Sequence, residues 1–229
     1  MVEKIERFMW VSAIKPGMEE GFVQQLAAQQ ELLQSSLGER GAIVCSVFRE
    51  GSYLFTYLEQ AIGESVERIS GIWTELGAGT LTSLLQAWPS LDGGAMAYEL
   101  RMNDIFHDDE PMVDEVPWRR AGYRAEQRVG SLARLKPEKY CSYVFLHYQL
   151  QEEQPRLFSK YYTIGSFERY IFSYNELPSI VEPSRSGQLS TTNTPPDWGV
   201  AMEPHFEPWT AKPEAERLWC VMEELFHLE

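Results

Sequence analysis

The chain has 229 residues, 44% hydrophobic and 13% aromatic, enough to fill packed cores and to exclude wholesale disorder. Its formal net charge of −14 excludes polyanionic partners, because nucleic acid and an anionic membrane surface both repel such a chain. Cys45, Cys141 and Cys220 are scattered and include no CxxC, so they offer neither a disulfide framework nor a zinc site and fit a reducing compartment. The opening MVEKIERFMWVSAIKPG lacks the apolar centre and small-residue cleavage site of a signal peptide. No apolar run approaches the roughly 20 residues that span a bilayer. A cytoplasmic protein is the expectation.

In chain order, a strand is expected over 6–14, broken by Pro16 and Gly17. A helix follows over 18–37, with Phe22, Leu26, Leu33 and Leu37 at helical spacing. Two strands, 43–49 and 53–59, flank the turn Glu50-Gly51-Ser52. A second helical stretch is expected over 64–85 and a closing strand over 98–106. A charged segment with Trp118 as its anchor leads to a strand at 131–135, a helix over 138–153 and a hairpin at 161–166 and 168–175. The stretch 177–197, rich in Pro, Ser and Thr, is long for a connection inside a compact domain.

The chain states this pattern twice. IKPGMEEGFVQQL (14–26) matches LKPEKYCSYVFLH (135–147), SVFREGSYLFTYLE (46–59) matches TIGSFERYIFSYNE (163–176), and MNDIFH (102–107) matches MEELFH (222–227). Lys15 and Lys136, Tyr53 and Tyr170, and Phe106 and Phe226 stand 121, 117 and 120 residues apart. The steady spacing of three blocks in one order points to a tandem duplication. The expected division is a repeat over 1–110, a linker over 111–130 and a repeat over 131–229. Each repeat reads β-α-β-β-α-β, an α+β ferredoxin-like plan. Two such units are expected to pack sheet to sheet as an intramolecular pseudo-dimeric α/β barrel, a monomer that leaves room for further oligomerisation.

The repeats differ where polar groups appear. Tyr143 and His147 lie one helical turn apart and so share a face, where the first repeat has Phe22 and Leu26. Tyr162 aligns with Cys45, and Trp198 follows the long loop. Two phenols, an imidazole and an indole suit a small polyhydroxylated ligand, the indole covering C–H surface and the others exchanging hydrogen bonds with hydroxyls. Histidine is also the side chain most readily poised for proton transfer near neutral pH. The plainer alternative is a set of half-buried core residues with satisfied polar tips. His205, in EPHFEPW, is a further candidate for the pocket. The run His107-Asp108-Asp109-Glu110 reads as a solvated acidic strand end rather than a cation site, and the Gly77-Ala-Gly79 segment does not follow a strand as a phosphate loop would.

The run KPxxxxxYxxxH, the hairpin opening on Tyr162, and the endings NDIFH and EELFH resemble the L-rhamnose mutarotase family. The resemblance implies a ferredoxin-like domain that pairs into an α/β barrel and interconverts aldose anomers by general acid/base catalysis. It implies His147 as the catalytic proton donor and Tyr143, Tyr162 and Trp198 as substrate-binding residues, with Met202 at the family's spacing. It implies no cofactor and no metal, and a monosaccharide as the small-molecule ligand. The family's second tryptophan is Gly199 here. Two other classes stay open on this scaffold: a non-catalytic ligand-binding or stress-related protein, and an enzyme of the polyketide cyclase or monooxygenase type.

Overall fold

A computed structural model describes residues 4–63, 67–75, 79–89, 93–108, 118–153, 157–183 and 187–229. In chain order the elements are β1 (Lys4–Ala13), α1 (Glu19–Ala28), α2 (Gln30–Glu39), β2 (Ala42–Glu50), β3 (Tyr53–Ile62), α3 (Ile72–Glu75), α4 (Gly79–Ser83), β4 (Leu100–Arg101) and β5 (Asn103–His107). There follow β6 (Gln127–Arg134), α5 (Tyr140–Glu153), β7 (Leu157–Ser159), β8 (Thr163–Phe167), β9 (Tyr170–Leu177), β10 (Val181–Pro183), α6 (Trp198–Met202), β11 (Cys220–Val221) and β12 (Glu223–Leu228). The fold is α+β, with antiparallel sheets.

The chain divides into two compact units. One comprises Met1–Met102, Pro111–Arg124 and Glu223–Glu229; the other comprises Asn103–Glu110 and Ala125–Met222. The first unit's sheet runs β12-β2-β3-β1-β4, the second's β11-β6-β9-β8-β5. Read from opposite edges the two orders are the same, with β1, β2, β3 and β4 answered by β6, β8, β9 and β11. The four strands that each unit's own repeat supplies are in the ferredoxin-like order. The fifth strand is exchanged: β5 belongs by sequence to the first repeat and lies in the second unit's sheet, and β12 does the reverse. Each closing strand expected from the sequence is therefore split. At Met102 and Met222, both buried, the chain leaves its own sheet. Their N–H groups make the last bonds there, to Met9 O and Gly130 O, both at 2.9 Å.

Two expected helices are also divided. The 18–37 stretch breaks at Gln29, whose backbone (φ −109°, ψ 6°) ends α1 and whose side-chain amide reaches the Thr80 hydroxyl at 2.5 Å. The four apolar positions nonetheless face one way, and Phe22, Leu26, Leu33 and Leu37 form a core with Trp10, Val47, Leu58 and Phe226. Within 64–85, α3 begins only at Ile72. The Gln60 side chain takes the Ile69 N–H, and the Glu99 carboxylate takes those of Ile72 and Trp73, so side chains satisfy groups that a continuous helix would pair internally. Gly71 lies flat against the Glu99 side chain, where a Cβ would meet a carboxylate oxygen at 2.2 Å.

The expected anchor Trp118 is buried. Its indole N–H donates to Glu59 at 3.0 Å, and Arg119 grips the same carboxylate through two bonds of 2.8 and 2.6 Å. The Tyr57 hydroxyl donates to Glu59 at 2.6 Å. Four donors thus hold a carboxylate that has no solvent exposure, which is the condition for burying a charge. The second repeat keeps the strand half of the arrangement, with the Tyr174 hydroxyl on Glu176 at 2.7 Å.

Candidate functional site

In the second unit Lys136-Pro137 ends the strand, and a 3-10 turn over Pro137–Lys139 leads into α5. Proline fits the first turn of a helix because its missing N–H would have no partner there. Tyr143 and His147 face inward from α5, while Phe145 and Tyr148 on the opposite face are exposed. Tyr162 lies just before β8, held by its N–H to Ser159 O at 3.0 Å and by its carbonyl to Asp108 N at 3.1 Å. Trp198 opens α6, whose cap is Asp197, the carboxylate accepting from Val200 N at 3.1 Å.

These four residues line one cavity of about 240 Å³, together with Ile164, Met202, Glu203, Phe206, Leu218 and Trp219. The volume suits one substituted ring. The Tyr143 and His147 rings lie 4.0 Å apart, and the Trp198 indole stands edge-on to the imidazole at 4.9 Å. Phe106, on the exchanged strand β5, backs both His147 and Tyr162, at 5.4 and 6.0 Å.

The protonation pattern follows from burial and one hydrogen bond. His147 Nδ1 lies 2.9 Å from the Tyr143 carbonyl oxygen. A carbonyl only accepts, so Nδ1 carries the hydrogen and Nε2 keeps its lone pair. Burial, with a smaller contribution from nearby His205, lowers the imidazole pKa to about 4 against the opposing pull of that carbonyl. At neutral pH His147 is therefore an uncharged base. Burial pushes the Tyr143 phenol well up, as does the neighbouring Tyr162. Burial does the same for Tyr162, reinforced by Asp108 and eased by a hydrogen bond with Ser173. Both phenols are donors at neutral pH. Among the described residues neither the Tyr143 hydroxyl nor His147 Nε2 has a hydrogen-bonding partner in the protein, although both residues line the cavity.

His205 does not join the lining. Its Nδ1 bonds Met202 O at 3.2 Å and its Nε2 pairs with the Ser142 hydroxyl at 2.8 Å, so both nitrogens are occupied in the layer behind Tyr143. His107 pairs with Asp104 at 3.2 Å, and the Asp108 carboxylate accepts from Ser159 N at 2.9 Å; Asp109 and Glu110 lie outside the described residues. Among the described residues no three His, Cys, Asp or Glu side chains gather as a metal would need.

Trp219 is the residue that sequence reasoning missed. It supplies a second indole to the pocket from just before β11, while at Gly199, where the resembled family has its second tryptophan, a Cβ would stand in ordinary contact with Asp197 Oδ1 at 3.7 Å. Its signal was the repeat spacing: 120 residues earlier stands Glu99, which caps α3. The first repeat also has a counterpart of Trp198. Trp73, in the helix after β3, stands edge-on to Phe22 at 5.4 Å and is fully buried, its N–H on the Ser12 hydroxyl at 3.0 Å. Phe22, Leu26, Cys45 and Trp73 form a packed apolar core where the second unit has its pocket.

No family model matches the chain, and no curated protein does. Two solved structures resemble it loosely over their whole length. One is a proposed monooxygenase from Fusobacterium nucleatum subsp. nucleatum ATCC 25586, with 7% identity, a TM-score of 0.42, and coverage of 100% of this chain and 96% of that one. The other is a proposed monooxygenase from Lactobacillus acidophilus NCFM, with 8% identity, a TM-score of 0.41, and coverage of 99% and 96%. At this distance the site stands on its own geometry.

Proposed function

We propose that the pocket of the second unit performs general acid–base chemistry on a small hydroxylated ring, as an aldose mutarotase-like isomerase acting on a monosaccharide. The observation that carries this reading is the unpartnered pair in one cavity, the acceptor His147 Nε2 and the donor Tyr143 hydroxyl. Mutarotation needs a base for the anomeric hydroxyl and an acid for the ring oxygen. His147 Nε2 takes the anomeric proton while a phenol, Tyr143 or Tyr162, donates to the ring oxygen and the bond from that oxygen to the anomeric carbon breaks. Rotation of the open aldehyde and the reverse transfers close the ring on the other face. The roles are thus inverted from those that the family resemblance implied, because an imidazole with a pKa of about 4 is neutral at pH 7 and its one hydrogen, on Nδ1, is bound to the Tyr143 carbonyl, which leaves Nε2 bare. Trp198 and Trp219 cover the C–H faces of the ring.

A second reading rests on the wall composition. Tyr143, His147, Tyr162, Trp198, Phe206 and Trp219 present six rings to the cavity. Such walls also suit a flat phenolic or enolic substrate, from which the same base would take a hydroxyl proton in polyketide cyclase or monooxygenase chemistry.

NMR saturation transfer between the anomers of L-rhamnose and other aldoses, with wild type and His147→Leu, tests the first reading. Exchange faster with wild type and at the uncatalysed rate with the variant supports it. Equal rates throughout sink it, and oxygen uptake or cyclisation with small polyphenols that depends on His147 would then select the second. Sugar binding with no His147-dependent exchange would make the protein a carrier.

A further inference from the structure

The loop that delivers Trp198 is fastened to the far end of the helix that carries His147. The Glu153 carboxylate, at the last residue of α5, accepts from Thr191 Oγ1 at 2.5 Å, Asn193 N at 2.9 Å, Thr194 N at 2.7 Å and Thr194 Oγ1 at 2.5 Å. Gln149, one turn earlier, adds its amide at 3.2 Å. Its neighbour Glu152 takes Gln188 N on its carboxylate at 2.7 Å and Leu189 N on its carbonyl at 3.2 Å. Gly187 passes so close that a Cβ there would stand 2.2 Å from the Glu152 carbonyl oxygen. Three residues after Thr194, Asp197 caps α6 and Trp198 begins it.

We infer that Glu153 is a positioning residue for the pocket, acting through the 187–197 strap to hold the Trp198 indole against His147. The inference rests on the pocket being the working site. Six residues of helix separate Glu153 from His147, about 9 Å of rise, so Glu153 does not touch a ligand seated on the imidazole. Apart from the Gln149 amide within α5, its bonds fall on one segment of chain, and that segment ends at the indole. A long loop rich in Pro, Ser and Thr costs entropy to order, and the Glu153 carboxylate supplies acceptors for the hydroxyls and N–H groups that such a loop exposes. Desolvation pushes the Glu153 carboxyl up, but the bonds from Thr191, Thr194 and Asn193 outweigh it and hold its pKa down to about 2, so the fastening stays ionised at any physiological pH.

The test is fluorine NMR of protein labelled with 5-fluorotryptophan, the Trp198 resonance assigned by its loss in Trp198→Phe. Glu153→Ala, and Gly187→Val as an independent break at the other end of the strap, should each shift or broaden the Trp198 resonance while the resonances of Trp10, Trp73 and Trp88 in the first unit stay in place. Both variants should raise KM for L-rhamnose anomer exchange at least five-fold, with kcat within about two-fold. An unmoved Trp198 resonance in both variants overturns the inference. Movement of every tryptophan resonance together also overturns it, by making Glu153 a general stability element. If Trp198 alone moves but wild type does not exchange L-rhamnose anomers, the strap stands and the sugar reading falls.

Discussion

The titration of His147 links the pocket to stability, and the sign of the link is fixed. The unfolded chain binds a proton at this imidazole near the ordinary value of 6.5, and the folded chain only near pH 4. Between those values the unfolded state holds the extra proton, so the folded state loses stability as pH falls from 6.5. Below about 4 both states are protonated and the loss levels off. The interval corresponds to about 3 kcal/mol, at about 1.4 kcal/mol for each tenfold change in proton affinity. The side chain is only 4% exposed, so solvent screening removes little of this. His147→Leu takes the group away and borrows the residue that the first repeat has at this position. Urea unfolding of both proteins at pH 7, 6, 5 and 4 isolates the effect, because the other titrating groups are common to both. The wild type should lose about 3 kcal/mol relative to the variant across this range. A constant difference, or one that favours the wild type at pH 4, would refute the assignment of a buried neutral imidazole.

Three further outcomes follow from the packing. Arg119→Ala strips the two-bond partner from the fully buried Glu59 carboxylate and should destabilise the first unit by about 3–5 kcal/mol in chemical denaturation, the cost typical of orphaning a buried charge. Trp73→Ala should cost about 3–5 kcal/mol, since its indole is fully buried, and should leave anomer exchange intact; Trp198→Ala should cost less stability and weaken ligand binding. Glu168 holds φ at 51° in the β8–β9 turn, where Gly51 sits at 59° in the matching β2–β3 turn, so Glu168→Gly should stabilise the second unit by about 0.5–1 kcal/mol in thermal melts.

The long strands and their turns were legible because strand-forming runs and Gly51 report local geometry, whereas β7 and β10 were not expected; the Tyr143–His147 pair was legible because helical spacing converts a four-residue step into a shared face. Tyr162 and Trp198 reached the candidate pocket only through the comparison of repeats, and the structure brings all four together. What sequence could not show was long-range competition for backbone bonds. Asn103–His107 has the residues of a strand whichever sheet it joins, and only the pairing with β8 rather than β1 reveals the exchange. Gln29 looks like any helix interior residue, and its break answers a partner at Thr80. His205 looked available because proximity in sequence to Trp198 says nothing about Ser142 and Met202, which occupy its ring.

The protonation state of His147 can be read directly from two-bond proton–nitrogen correlations of the histidine ring, followed from pH 7 to pH 3.5. The expected spectrum at pH 7 is a neutral ring with hydrogen on Nδ1 and a bare Nε2, converting to imidazolium only near pH 4, with Nε2 shifting when an aldose binds. An imidazolium at pH 7, or a hydrogen on Nε2 that no ligand disturbs, would contradict a pocket built around this base.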